Sequence, residues 1–171
     1  MRHTFQPYPV NMLEWNPMNK ISQEWLALVT EKDGKANAMT CSWGGVGFIW
    51  NKNACTVYVR ESRYTKELLD KSEYFSCCFL DVNDKESRQA LKYLGMVSGR
   101  NENKIEAARL SVEHYGDIPY LDQANFVILC KKMAAVPMPK ETLGEDIDKE
   151  FYKDGDYHTM YIGEIVEIVA R

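Results

Sequence analysis

Arg60 and Arg63 stand three residues apart in the run VRESRYTKELLDKS (59–72), interleaved with the hydroxyl residues Ser62, Tyr64 and Thr65. Guanidinium groups present planar forks of donors that match phosphate oxygens, and hydroxyls add further donors. The run follows a β-rich segment, ACTVYV, while Leu68 and Leu69 mark the buried side of a helix starting near Thr65. Free N–H groups and the helix dipole at such a start favour an anion. The cluster reads as a phosphate cradle built without a glycine-rich loop. The plainer reading is a solvated turn leading into a capped helix.

A second basic loop, SGRNENK, carries Ser98, Gly99, Arg100 and Lys104 into another helix. Asn103 is a natural N-cap there, with Glu106 three residues on to complete a capping-box-like pair. Two such loops in one acidic chain suggest a bound phosphate ester. A third stretch, NAMTCSW (37–43), has strand alternation. Asn37, Met39, Cys41 and Trp43 share one face, and Ala38, Thr40 and Ser42 the other. Such a strand can offer amides, hydroxyls and an aromatic wall to a flat polar heterocycle, although a Met/Trp stripe is also ordinary core.

The 171 residues suit one domain spanning 1–171, long enough to bury roughly 70% of its unfolded surface. A hydrophobic content of 45% argues against disorder. The net charge of −4 argues against a nucleic-acid or anionic-membrane partner reached by bulk electrostatics, so an anionic ligand needs a local cluster. No apolar run approaches the ~20 residues of a membrane span, and the N-terminus lacks a signal-peptide core; the expected location is the cytoplasm. Five cysteines without a CxxC motif fit free, buried thiols, and the three histidines have no zinc-ligand spacing.

Elements must position these residues. Residues 1–20 read as an extended lead-in. Strands are expected at 25–32 and 35–43 around an Asp33-Gly34 turn, then on both sides of a turn at Asn51–Asn53. Further strands are expected at 74–80, 125–136 and the C-terminus, the last bent at Gly163. Helical patterns fall at 65–72, at DKESRQALKYLG with Gly95 as its C′ residue, and after Asn103. The polar insertion at 137–156 reads as a surface segment, lid or dimer arm carrying one short helix. Six or seven hairpin-linked strands with two or three helices suggest an α+β, mainly β fold: a closed antiparallel barrel with helical excursions.

In order and spacing, NAMTCSWGGVGFIWNK, TVYVRESRYTKELLDKSEYF and YLGMVSGRNENK resemble the flavin reductase-like family of FMN-binding split barrels, which includes flavoredoxins. The closing strand GDYHTMYIGEIVEI is similar as well, so the likeness covers most of 20–170. It implies an antiparallel Greek-key split barrel that binds FMN and forms a homodimer. It also implies electron donation by NAD(P)H or by a redox protein. By this resemblance Arg60, Ser62, Arg63, Tyr64 and Thr65 hold the phosphate and ribityl chain. Asn37, Met39, Thr40, Cys41, Ser42 and Trp43 line the isoalloxazine and ribityl side, and Ser98, Gly99 and Lys104 complete the contacts. Glu61 replaces a common proline and is expected to point to solvent, away from the phosphate. Asn103 replaces a usual aspartate before Lys104. His158 reads as a structural histidine that could also face the flavin from the last strand.

Overall fold

The β-branched and aromatic runs form ten strands among residues 4–171, which the computed structural model describes. They are β1 (Gln6–Pro7), β2 (Leu26–Lys32), β3 (Lys35–Cys41), β4 (Gly44–Ile49), β5 (Lys52–Arg60), β6 (Tyr74–Phe79), β7 (Val112–Tyr115), β8 (Ile118–Leu121), β9 (Phe126–Pro137) and β10 (His158–Ala170). The helices are α1 (Pro17–Asn19), which runs on into a wide turn at Lys20–Glu24, α2 (Tyr64–Lys71), α3 (Lys85–Met96), α4 (Lys104–Ala107) and α5 (Glu145–Phe151).

One antiparallel sheet has the order β3-β2-β6-β9-β10-β5-β4, with β1 paired to the far end of β10; β7 and β8 form a separate hairpin. The two edge strands, β3 and β4, are consecutive in the chain and joined only by Ser42 and Trp43. Laid flat, six inter-strand gaps of about 4.8 Å would put those edges about 29 Å apart. The step from Cys41 to Gly44 spans at most about 11 Å. The sheet must therefore curl until its edges meet. β3 and β4 make no ladder with each other, so the barrel is split along this seam where closure was expected from the hairpin pattern.

Curling creates two cores by strand alternation. Leu26, Leu28, Met39, Cys41, Val57, Val59, Phe75, Ile128 and Tyr161 fill the interior. Ala27, Val29, Ala38, Cys78, Val127 and Leu129 face outward under α3, α4 and the β7–β8 hairpin. Both faces of β3 are thus buried, and its methionine and cysteine are core as well as wall. α2 packs on β2, β3 and β5, with Leu69 buried in the interior cluster.

Several expectations need correction. The Gly44–Arg60 hairpin turns at Trp50 and Asn51, with φ of 52° and 57°, one residue earlier than the asparagines suggested. α3 runs through Gly95 to Met96, because Lys104 and Arg63 satisfy its last carbonyls in place of a glycine cap. The lead-in contains β1, a 3-10 turn and α1, capped by Asn16, whose side chain accepts from the Met18 and Asn19 N–H groups. The β7–β8 hairpin went unread because its strands are four residues long and one contains Pro119.

The bend at Gly163 is observed as a register shift between β10 and β9. A Cβ at Gly163 would lie 2.5 Å from Phe75 Cζ and 2.8 Å from Cys130 Cβ, and both neighbours are fully buried. Gly163→Ala should therefore lower stability by about 1–3 kcal/mol in urea unfolding. Gly47→Ala, whose Cβ meets nothing within 4 Å, should change it by less than about 0.5 kcal/mol.

Candidate functional site

Curling brings β3, β5, the start of α2 and the α3–α4 loop together at the seam. Two adjoining cavities lie there, of about 380 Å³ and about 170 Å³, sharing Met39, Arg60 and Arg63. Asn37, Ser62, Tyr64, Thr65, Ser98, Gly99 and Lys104 complete the larger one together with Met96, Val97, Arg100, Asp154 and Asp156. Thr40, Cys41, Ser42 and Trp43 line the smaller with Tyr58 and His158. All fourteen residues singled out from the sequence therefore line one cavity or the other.

The larger cavity is cationic. Arg63 stands at the N-cap position of α2, where no side chain caps the helix. Its Nη1 donates to the Gly95 carbonyl at 3.0 Å. Lys104, only 3% exposed, donates to the carbonyls of Leu94 at 2.8 Å and Val97 at 3.0 Å. Burial pulls the Lys104 ammonium down to about 8, and the nearby Arg63 charge pushes the same way. Carbonyl dipoles orient both cations without neutralising them, so the pocket keeps positive charge that an anion would relieve.

Buried Asn37 Nδ2 donates to Thr65 Oγ1 at 2.8 Å, tying β3 to α2. The loop at 98–100 closes on this pair. A Cβ at Gly99 would fall 2.1 Å from Asn37 Oδ1 and 3.1 Å from the Tyr64 ring, so only glycine permits the approach. Arg100 clamps the loop to α2: it forms a salt bridge with Glu67, donates to the Ser62 carbonyl at 3.0 Å and lies over the Tyr64 ring. Asn103 caps α4 as expected, its side chain accepting from the Glu106 N–H.

Arg60 and Ser62 are engaged by the insertion. Arg60 Nη1 donates to the Asp156 carbonyl at 2.7 Å and Nη2 to the Phe151 carbonyl at 3.1 Å. The Ser62 N–H and Oγ donate to the Asp156 carboxylate at 3.0 and 2.6 Å. Glu61 is half-exposed, as expected for a side chain turned to solvent. It also accepts from Thr159 Oγ1 at 2.7 Å and pairs with Lys66 at 3.3 Å, and it lies outside the cavity lining.

The smaller cavity is aromatic. Trp43 and His158 lie 4.9 Å apart between ring centroids, and His158 Nδ1 is 2.8 Å from the Tyr152 hydroxyl. Burial, with help from Arg60, pushes His158 down to about 4, so the ring is neutral at neutral pH. Burial raises Cys41 to about 12, which keeps it a thiol. A third cavity of about 570 Å³, lined by Met18, Ile21, Met138 and Tyr152, shares Ser42, Trp43 and Tyr58 with the aromatic one.

Sequence reasoning missed Tyr58, Met96, Val97, Asp154 and Asp156 as wall residues. Tyr58 was recoverable, since strand alternation places it on the face of Arg60. Asp156 is 94 residues from Ser62, and no local signal connects them.

Residues 18–171 match the family model described as flavin reductase like domain. No curated protein matches the chain at a significant level. Among solved structures it is similar to an FMN-binding domain of a flavin reductases-like enzyme from Shewanella baltica OS155, at 15% identity and a TM-score of 0.70, covering 98% of this chain and 77% of that one. It is similar to a flavoredoxin from Methanosarcina acetivorans, at 20% identity and 0.69, covering 86% and 68%. Nitrilotriacetate monooxygenase component B from Bacillus cereus shares the fold at 19% identity and 0.63, covering 98% and 82%. At these identities the structural likeness establishes the fold, while the family model spans nearly the whole chain; the protein belongs to the flavin reductase like domain family.

Proposed function

We propose that the chain is an FMN-dependent oxidoreductase that takes electrons from NADH or NADPH and delivers them to a flavin or another acceptor. Family membership and the FMN-binding neighbours support FMN as the cofactor. The observation that carries the reading is the junction of a cationic cavity with an aromatic one, sharing Arg60 and Arg63. An elongated ligand with a phosphate at one end and a flat heterocycle at the other fits that pair.

In this reading Arg63 and Lys104 hold the phosphate, with Thr65, Tyr64, Ser98 and the Gly99 backbone around it. Asn37, Met39, Thr40, Cys41, Ser42 and Trp43 flank the ribityl and ring portion. When bound, FMN supplies the electron chemistry, accepting hydride and passing electrons onward. The protein binds, orients and screens. Neutral His158 and un-ionised Cys41 add no charge beside the ring, and Trp43 walls the side that leads to the third cavity. The five cysteines are free, which supports placement in a reducing cytoplasm. No helix among the described residues is long and apolar enough to cross a membrane.

A second reading is favoured by the flavoredoxins of two organisms among the neighbours: an electron carrier reduced by a protein partner. In either case a homodimer is proposed. Edge strand β4 and its hairpin expose Phe48 (69%) and Trp50 (58%) next to Ile49, an apolar strip that a second copy would cover.

Three outcomes are expected. Anaerobic addition of NADH or NADPH to the FMN-loaded protein should bleach the flavin absorption on a turnover timescale. A flavin that neither nucleotide bleaches would transfer the assignment to the carrier. Arg63→Ala should weaken FMN binding by about tenfold or more, the scale of one charge-assisted contact; unchanged affinity in a folded variant would remove the phosphate assignment. Light scattering should return twice the 19.8 kDa chain mass, and Trp50→Glu should shift it toward the monomer.

A further inference from the structure

The donors best placed for a phosphate near β5 are already occupied by the protein itself. The Asp156 carboxylate takes the backbone N–H of Ser62 through one oxygen and the Ser62 hydroxyl through the other. This is the two-oxygen grip that a phosphate ester would use one residue before the N-cap of α2. Arg60 holds the same turn by the carbonyls of Asp156 and Phe151, with Asp154 3.8 Å from its Nη1. Asp154 and Asp156 line the same cavity as Arg63 and Lys104.

The turn projects from an anchored stem. Tyr152 stacks on Tyr157 with ring centroids 4.8 Å apart, Tyr157 donates to Asp148 at 2.7 Å, and Tyr152 meets His158. Between these anchors, Lys153, Asp154 and Gly155 are exposed. Gly155 sits at φ 71° with open space around its Cα. The bonds from the tip to β5 and the turn after it are those to Arg60 and Ser62; its other bonds are local, the Gly155 N–H donating to the Tyr152 carbonyl at 2.9 Å and the Tyr157 N–H to the Gly155 carbonyl at 3.2 Å.

We propose that Asp156 is an internal competitor for the cofactor's phosphate, a carboxylate latch that sets flavin affinity. The inference rests on the FMN-binding function proposed for the chain. Two anions cannot share the Ser62 donors, and an ionised carboxylate beside a phosphate dianion is repelled. The phosphate therefore gains Ser62 and Arg60 only when the 153–156 tip swings away. An intramolecular competitor acts at high effective concentration, and the apparent dissociation constant rises by the inverse of the open fraction. The latch makes FMN an exchanging ligand of this chain, where an unlatched cradle would retain it as a permanent group.

The test measures FMN and riboflavin dissociation constants by flavin fluorescence for the native chain, Asp156→Ala, Asp156→Asn and Arg63→Ala. Riboflavin lacks the phosphate and reports everything except the latch. Asp156→Ala is expected to tighten FMN by about tenfold while riboflavin shifts by less than about twofold. Asp156→Asn, which keeps an acceptor for Ser62 without the charge, should move FMN in the same direction by less. Unchanged or weaker FMN binding in either variant, or an equal gain for riboflavin, would overturn the proposal and leave Asp156 as a tie for the insertion. Should the alanine variant lose its fold, the asparagine variant decides alone. Failure of the underlying reading looks different: the native chain would then show no saturable FMN binding, or Arg63→Ala would bind FMN as tightly as the native chain does.

Discussion

Two residues, Ser42 and Trp43, carry the chain from one edge of the sheet to the other. That short step forces the sheet to curl, and the cores, the seam and the cavities all depend on the curl. It makes the interior core, leaves the seam between β3 and β4, and sets Trp43 at the place where the edges meet. It also brings the end of β5 close to β3, so that α2 can pack across β2, β3 and β5. Without that closure Asn37 and Thr65, 28 residues apart, would not share a buried hydrogen bond.

The cationic cavity shows how positive charge is kept available in an acidic chain. Exposed cations such as Lys149 and Arg100 are paired with carboxylates, where the pairing contributes little to stability. Arg63 and Lys104 are held instead by the carbonyls that end α3. One arrangement meets two demands. The helix terminus has its orphan acceptors satisfied, and the cations are fixed in place with their charge uncancelled. The depressed Lys104 ammonium records the cost of burying that charge beside Arg63.

The insertion before β10 is more than a surface excursion. Tyr152, buried at 6% exposure, anchors it against His158, and Arg60 stitches its end to β5. Its acidic tip reaches the donors of Ser62. A polar segment of this kind can serve a site by shaping its floor or by competing for its donors, and both roles would run through the two bonds that Asp156 accepts from Ser62.

The sequence by itself determined which residues could meet a phosphate and a flat heterocycle, because guanidinium forks, hydroxyls before a helix and strand alternation are local chemistry. It determined most of the strands, the Asp33-Gly34 turn and the bend at Gly163 for the same reason. Tertiary structure alone decided what those residues touch. Gly95 lies inside α3, and not past its end, because Lys104 and Arg63 cap the helix from elsewhere in the chain. Trp50 turns the hairpin despite a backbone angle that disfavours it, since the β4–β5 register sets the turn one residue earlier. Asp156 meets Ser62 across 94 residues because β10 pairs antiparallel with β5, His158 opposite Arg60, so that the chain entering β10 runs beside the chain leaving β5. Contacts of that kind depend on the path of the whole chain, and no run of neighbouring residues encodes them.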